Sequence, residues 1–358
     1  MDINKRFELI KEVGEEIITE EDLKKLLAEK KNPIAYDGFE PSGTNIHIAQ
    51  GLMRAINVNK MIKAGCKFKM WVADWHAWAN NKMGGDLEKI QKVGKYLIEV
   101  WRACDMDLDN VEFVWANDAM KDVDYWKIVM QVARNSTVTR INRCCQIMGR
   151  KEGESLQASQ IFYPCMQCAD IFYLKVDIAQ LGMDQRKVNM LAREIGPSLG
   201  LWKPVAVHHH MLMGLGQPPS GEATLDRAIA MKMSKSNPDS AIFMDDTKED
   251  IDRKIKKAYC PEGIVNENPI LEYCKYILFE KFDCLKVERP EKWGGNLEFK
   301  SYKELEDCFA EKKLHPMDLK TCVSKYLNEM LEPVRQKLAK NKTAQKLKEE
   351  IKGFQVTR

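Results

Sequence analysis

The chain has 358 residues, a net charge of +3, and a composition that is 44% apolar and 30% charged. Such a mixture excludes a disordered chain, and a charge so close to zero gives no argument for nucleic-acid binding by itself. The length exceeds what one hydrophobic core usually serves, so two domains with room for an insertion are expected.

Taken in chain order, the opening residues MDINKRFELIKEVGEE are charged from the start and do not resemble a signal peptide. Thr19-Glu20-Glu21-Asp22 has the form of a capping box, and Leu23, Leu26 and Leu27 then give one apolar helix face. Ile34 to Phe39 reads as a strand, Glu40-Pro41-Ser42-Gly43 as a turn, and Ile48, Leu52 and Ile56 as a helix that Gly65 stops. Phe68 to Ala73 is a second strand, ending at Asp74. The alternation continues with a helix over Leu87 to Cys104, a strand over Val111 to Trp115, and helices over Tyr125 to Arg134 and Ser155 to Tyr173. A strand over Val176 to Ala179, a helix over Asp184 to Ile195 and a strand over Val205 to Val207 complete it. Strands alternating with helices predict an α/β fold with a parallel, doubly wound sheet, whose ligands sit at the C-terminal strand edge.

After about Asp246 the pattern becomes helical: Lys248 to Lys257, Pro269 to Leu278, Tyr302 to Glu311 and Pro316 to Leu331. The expected division is a catalytic domain over residues 1–258, with an inserted connective segment near 120–180, and a helical domain over residues 259–358. From Arg335 to Arg358 the basic residues Lys337, Lys340, Lys342, Lys346, Lys348 and Lys352 outnumber Glu349 and Glu350. Either a solvated helix face or a phosphate-contacting one would account for them. No run approaches eighteen apolar residues, and FQVTR at the end is not a lipidation or peroxisomal signal. Eleven cysteines without regular spacing fit free thiols in a reducing cytoplasm, and Cys165-Met166-Gln167-Cys168 reads as buried helix cysteines rather than a zinc site.

Two short segments carry chemistry. Lys232-Met233-Ser234-Lys235-Ser236 follows a long polar stretch and precedes Asn237-Pro238, as a mobile loop would. Its two lysines and two hydroxyls could gather triphosphate oxygens and close on charge that grows toward the leaving group; a solvated basic loop is the plainer reading. His47-Ile48-Ala49-Gln50 opens the first long helix directly after the first strand, where the helix dipole and free N–H groups favour phosphate. Gly38, Ser42 and Gly43 leave space there for a nucleotide.

Together these segments resemble class I aminoacyl-tRNA synthetases, His47 to Gln50 standing for the HIGH-type motif and Lys232 to Ser236 for KMSKS. Ala49 and Gln50 depart from that pattern, which makes the assignment of ATP to His47 firmer than to Gln50. Tyr36-Asp37-Gly38-Phe39-Glu40-Pro41-Ser42-Gly43, Tyr163-Pro164-Cys165-Met166-Gln167-Cys168-Ala169-Asp170 and Gly182-Met183-Asp184-Gln185-Arg186-Lys187 are similar to motifs of the archaeal and eukaryotic tyrosyl-tRNA synthetases. Tyr163, Gln167 and Asp170 fall at i, i+4 and i+7, one face of a helix. The resemblance implies that Tyr36 and Asp170 hold the tyrosine hydroxyl, and that Tyr163, Gln167 and Gln185 hold its ammonium group. ATP would meet Gly38, His47, Gln50, Lys232, Ser234 and Lys235, with His47, Lys232 and Lys235 catalytic.

The same resemblance extends through Ala258 to Gly263, Arg289 to Gly295 and Leu314 to Lys320. There it implies an anticodon-binding domain in which Trp293 stacks on the first anticodon base and Asp318 accepts from it; packing of Trp293 in the helical core is the alternative. Arg143 and Arg186 match positions used near the tRNA acceptor end, although a surface ion pair would explain either. The implied partners are L-tyrosine, ATP with Mg²⁺, tRNA(Tyr) and a second copy in a homodimer, with no prosthetic group and no membrane. His208-His209-His210 invites a metal reading, but adjacent residues cannot easily aim three rings at one ion. A tryptophan-specific relative, a non-catalytic RNA-binding relative and a small-molecule nucleotidyltransferase are the competing readings.

Overall fold

The computed structural model describes residues 1–148, 155–219, 231 and 238–357. Lys232, Ser234 and Lys235 lie outside the described residues. The chain opens with α1 (Ile3–Val13) and β1 (Glu16–Ile18), then α2 (Glu20–Glu29), β2 (Ile34–Phe39), α3 (Arg54–Lys63), β3 (Lys67–Val72), α4 (Asp74–Ala79), α5 (Leu87–Ala103) and β4 (Val111–Trp115). There follow α6 (Ala116–Ala119), α7 (Val123–Arg134), α8 (Val138–Cys144), α9 (Ala158–Tyr173), β5 (Ile178–Gly182), α10 (Arg186–Ile195) and β6 (Val205–His209). The Thr19 cap is present, its side chain accepting from the Asp22 N–H at 3.1 Å.

The six strands form one sheet in the order β1-β6-β5-β2-β3-β4. Five run parallel; β1 pairs antiparallel with β6, Glu16 opposite His208. The expected doubly wound parallel sheet is present, with one antiparallel edge strand added to it. Three residues without alternation give no strand signal, and the edge forms only because β6 offers a free row of N–H and C=O groups. The chain moves from β2 outward to β3 and β4, then returns to the other side of β2 with β5 and β6. The strand order therefore reverses between β2 and β5, the place where a doubly wound sheet opens a ligand crevice. Only Ala35 with Ile178 and Tyr36 with Ala179 pair across that junction, so the strands part beyond it.

Period-two alternation sends the two strand faces into different layers. Ala35 and Phe39 of β2 and Phe68, Met70 and Val72 of β3 pack with α1, α3 and α5, while Tyr36 and Trp71 face the layer built by α7, α8, α9 and α10. Tyr36 is thereby committed to the face that α9 covers.

The C-terminal part is helical, with one exception. Helices Lys248–Lys257, Pro269–Tyr273, Tyr302–Ala310, Pro316–Lys340 and Lys342–Ile351 enclose a two-stranded hairpin, β7 (Leu285–Val287) with β8 (Leu297–Phe299). The long helix continues past Leu331 through Pro333 to Lys340, which the sequence did not suggest. A proline removes one backbone donor, but ten buried side chains along this helix hold it in place. The basic terminal helix is not purely solvated: Ala344 and Ile351 are buried, Asn341 Nδ2 donates to Glu99 Oε2 of α5 at 2.7 Å, and Lys348 pairs with Asp245 at 3.0 Å. One apolar cluster runs from Val205 and Val207 through Ile251 and Ile270 to Leu327 and Ile351, so the helical part packs directly on the sheet part.

Candidate active site

The β2–β5 crevice collects the polar face of α9. Tyr163, Gln167 and Asp170 are buried in that helix, as the i, i+4, i+7 spacing predicts. Tyr36 reaches the same space from β2, and burial followed by the nearby Asp170 raises its phenol well above the usual range, keeping the O–H as a donor. Tyr163 is held protonated in the same way by burial and by Glu40.

Asp170 is enclosed on several sides. Its Oδ1 accepts from the Tyr125 hydroxyl at 2.8 Å, and its Oδ2 lies 3.0 Å from His76 Nε2; His76 and Asp170 are each 1% exposed. Tyr125 comes from α7 and stacks near Trp71 of β3, while His76 stands edge-on to Tyr163 at 5.1 Å. The crevice thus contains an acidic acceptor framed by aromatic rings, which suits a phenol. Tyr125 was missed in the sequence. It begins an ordinary apolar helix stretch, and only the packing of α7 on α9 brings it to Asp170. His76 had a partial signal, since Asp74-Trp75-His76 follows β3. Asp74 itself is occupied, accepting from Trp75 N at 2.9 Å, Asn117 N at 3.0 Å and Gln91 Nε2 at 2.9 Å, so it ties the ends of β3 and β4 together.

At the other end of the crevice, Gln167 Nε2 donates to Gln185 Oε1 at 3.0 Å, which joins α9 to the turn before α10. Tyr163 donates to Glu40 Oε2 at 3.2 Å, and Glu40 also accepts from Asn80 at 3.2 Å and lies 3.6 Å from Lys82. Glu40 directly follows β2, within the Tyr36–Gly43 motif, where sequence alone gives it no role. This end is acidic and rich in amide groups, suited to an ammonium ion.

The nucleotide side begins where β2 ends. His47 does not sit on a plain α-helix. A π-turn over Ala49–Met53 precedes α3, and His47 Nδ1 accepts the Gln50 N–H at 3.3 Å. Gly51 packs tightly, because a Cβ there would lie 2.5 Å from Met244 Sδ and would have to displace that buried side chain. Gly38 is different: a Cβ would make only ordinary van der Waals contacts, at 3.7 Å with Trp71 and Tyr36, so the protein itself does not demand glycine there. Gln50 Oε1 is buried without a protein partner among the described residues. Asp37, beneath this end, is pushed up to about 6 by burial, which its 2.9 Å pair with Arg54 only partly offsets.

Described residues flanking the second motif make backbone hydrogen bonds, on one side to the His47 turn. Ile48 N donates to Ile242 O at 2.8 Å and Met244 N to Ile46 O at 2.8 Å; on the other flank, Gly214 N donates to Met231 O at 2.8 Å. Both sides of Lys232–Asn237 are therefore anchored, one of them directly on the His47 turn.

The remaining predicted residues are dispersed. Arg143 is exposed on α8. Arg186 forms a 2.8 Å ion pair with Glu16, which in turn meets His208 Nδ1 at 2.9 Å. Trp293 is 65% exposed on a short 3-10 turn, so it does not pack in the helical core. Asp318 lies in the first turn of helix Pro316–Lys340. The three adjacent histidines diverge: His208 to Glu16 and Asn189, His209 to Gln180 at 2.6 Å, and His210 to Glu15 and Glu272, both at 3.0 Å.

Comparison with known proteins agrees with this geometry. The model of the tRNA synthetases class I (W and Y) matches residues 28–332. Tyrosine--tRNA ligase 1, cytoplasmic, of Arabidopsis thaliana is 51% identical over 360 residues, covering 100% of this chain and 90% of that protein. The tyrosine--tRNA ligase of Sulfurisphaera tokodaii is 44% identical over 342 residues, covering 94% of this chain and 93% of that one. The crystal structure of a tyrosyl-tRNA synthetase complexed with L-tyrosine from Pyrococcus horikoshii superposes with a TM-score of 0.89 at 40% identity, covering 98% and 100% of the two chains. The chain belongs to the class I tRNA synthetases of the W and Y group.

Proposed function

We propose that this chain is a tyrosine–tRNA ligase that activates L-tyrosine with ATP and transfers it to the 3′ end of tRNA(Tyr). The observation that carries the reading is the buried Asp170 carboxyl with Tyr36, Tyr125 and His76 around it. A pocket lined by hydrogen-bonding groups rejects a side chain lacking the matching hydroxyl, because those groups would be left unpaired. Tyr36 and Asp170 hold the phenol oxygen; Tyr125 positions Asp170; Tyr163, Gln167 and Gln185 hold the ammonium group.

In the first step an oxygen of the tyrosine carboxylate attacks the α-phosphorus of ATP and pyrophosphate leaves. The nucleophile is already ionised, so no general base is needed, and acceleration comes from positioning and charge stabilisation. His47 and Gln50 meet the nucleotide at the β2 end, with Gly38 leaving room for it. Lys232, Ser234 and Lys235 meet the departing phosphates, and the anchoring of both flanks of that segment supports this role. Mg²⁺ travels with the triphosphate oxygens, the hard ligands it prefers. In the second step a terminal ribose hydroxyl of the tRNA attacks the adenylate carbonyl and AMP leaves.

We place the catalytic domain at residues 1–258, with its connective insertion near 120–180, and the anticodon-binding domain at 259–358. Trp293 and Asp318 then read the first anticodon base, and Arg143 and Arg186 serve the acceptor end once Arg186 exchanges Glu16 for phosphate. The working form is a cytoplasmic homodimer. The location follows a relative named cytoplasmic, and among the described residues no helix is long and apolar enough to cross a membrane. The test is aminoacylation of purified tRNA(Tyr) with ATP and tyrosine. Tyrosyl-tRNA and AMP should form in equal amounts; charging of tRNA(Trp) with tryptophan instead would overturn the assignment.

A further inference from the structure

The connection between α4 and α5 reaches into the acidic, amide-rich end of the crevice. Asn80, fully buried where α4 ends, donates to Glu40 Oε2 at 3.2 Å and accepts from Gln160 Nε2 at 3.4 Å. Lys82, two positions on, stands 3.6 Å from Glu40 Oε1. Tyr163 donates to the same Glu40 Oε2 that Asn80 does, at 3.2 Å. One short turn thus supplies a group to each oxygen of the carboxylate on which Tyr163 rests.

That turn has an unfavourable backbone. Asn81 and Met83 have φ values of 57° and 52°, in the left-handed region that residues with a Cβ seldom adopt. Such a conformation persists only where its surroundings hold it. On the inner side Met83 is buried in the core. On the outer side the holding group lies 273 positions further along the chain than Gly84. Thr357 Oγ1 accepts from the Gly84 N–H at 3.0 Å and donates to the Asn81 carbonyl at 2.6 Å. A hydroxyl can donate and accept at once, so one side chain clamps both flanks of Lys82 and Met83. Helix Lys342–Ile351 brings Thr357 there by lying along α5. Ala344 and Ile351 are buried, Glu350 pairs with Lys92 at 3.3 Å, and Lys89 Nζ lies 5.7 Å from the centre of the Phe354 ring.

We propose that Thr357 is a positioning residue for tyrosine activation: its hydroxyl fixes the Asn81–Gly84 turn, so that Asn80 and Lys82 hold Glu40, and Glu40 holds Tyr163, at the ammonium end of the pocket. The proposal rests on the reading of the site given above. The test is tyrosine-dependent ATP–pyrophosphate exchange with the full-length protein and its Thr357→Val variant, which keeps the side chain's shape without the hydroxyl. Thermal melting confirms the fold of each variant. KM for tyrosine should rise roughly fivefold while kcat stays within about twofold, the scale of one lost hydrogen-bonded link. Inhibition separates positioning from general damage. Tyramine, which keeps the ammonium group, should weaken by the same factor as tyrosine, whereas desaminotyrosine, which lacks it, should bind both proteins equally. Thr357→Ser should restore the parent KM. In a Lys82→Met background, Thr357→Val should add less than about twofold, because the two substitutions break the same link. An unchanged KM in Thr357→Val, equal weakening of both inhibitors, or a Thr357→Ser variant that behaves like Thr357→Val would overturn the proposal. If the unmodified protein shows no tyrosine-dependent exchange, the reading of the site fails instead, and the two failures stay distinct.

Discussion

The crevice around Asp170, proposed for tyrosine, and the Trp293 face, proposed for tRNA, put their side chains in opposite physical conditions. Asp170 is almost fully buried, with Tyr125 and His76 on its two oxygens, while Trp293 stands 65% exposed on a short turn. Polar groups removed from water need partners, so each residue of the pocket constrains its neighbours and a substitution there disturbs a network. An exposed indole has little to lose in the free protein; its value is realised only when a base covers it. Pocket substitutions should therefore affect stability and amino-acid activation together, and substitutions on the Trp293 face should affect tRNA alone.

The largest expected effect is at Asp170. Asp170→Asn keeps the shape but exchanges a two-oxygen acceptor for an amide, and should lower kcat/KM for tyrosine in ATP–pyrophosphate exchange by roughly 100-fold, about 3 kcal/mol. Preference over phenylalanine should shrink with it. Tyr125→Phe sharpens the comparison. It leaves Asp170 in place but removes the donor to Oδ1, and should cost about 1–2 kcal/mol in the same assay. Normal kinetics in that variant would show that Tyr125 merely fills space. Trp293→Ala should raise KM for tRNA(Tyr) by roughly tenfold, since stacking on one base contributes about 1–3 kcal/mol. Its melting temperature should match that of the parent protein. A loss of stability would mean that the face is not waiting for a partner.

His210, between Glu15 and Glu272, offers a smaller effect of a third kind. Burial alone would lower its pKa, but its hydrogen bonds to the two accepting glutamates outweigh that and bring it up to about 9; the hydrogen bond from His210 in turn lowers Glu15. A histidine raised above its unfolded value adds stability that is full below about pH 6.5 and is lost as the pH rises through about 9. The Glu15 contribution is present above about 4.5 and fades as the pH falls below it. His210→Gln should thus destabilise by about 1–2 kcal/mol near pH 6 and by little at pH 10, a difference readable from melting curves. The pair joins β6 to helix Pro269–Tyr273, so this test concerns how the two regions are held together and not either ligand.

Much of the fold could be read in the residues themselves. Short apolar runs such as Ile34–Phe39 and Val111–Trp115 form the strands expected, and Tyr163, Gln167 and Asp170 share the face their spacing requires. What escaped depends on contacts remote in sequence. β1 and the β7–β8 hairpin have three-residue strands, too short for a periodic signal, and form because a neighbouring edge is available. The π-turn at Ala49 sets Gly51 against Met244, nearly two hundred positions away, a contact that no local pattern announces. Tyr125 and His76 join the site only through the packing of α7 and α4 against α9. Glu40 was in view within its motif, but its hydrogen bond to Tyr163 needed the fold.

The central claim is that the buried acceptor at Asp170 selects tyrosine. It is met most directly by ATP–pyrophosphate exchange with the full-length protein, measured separately with tyrosine, phenylalanine and tryptophan. Exchange driven by tyrosine, with phenylalanine and tryptophan near background, is the predicted result; exchange driven by tryptophan, or equally by phenylalanine, would contradict it.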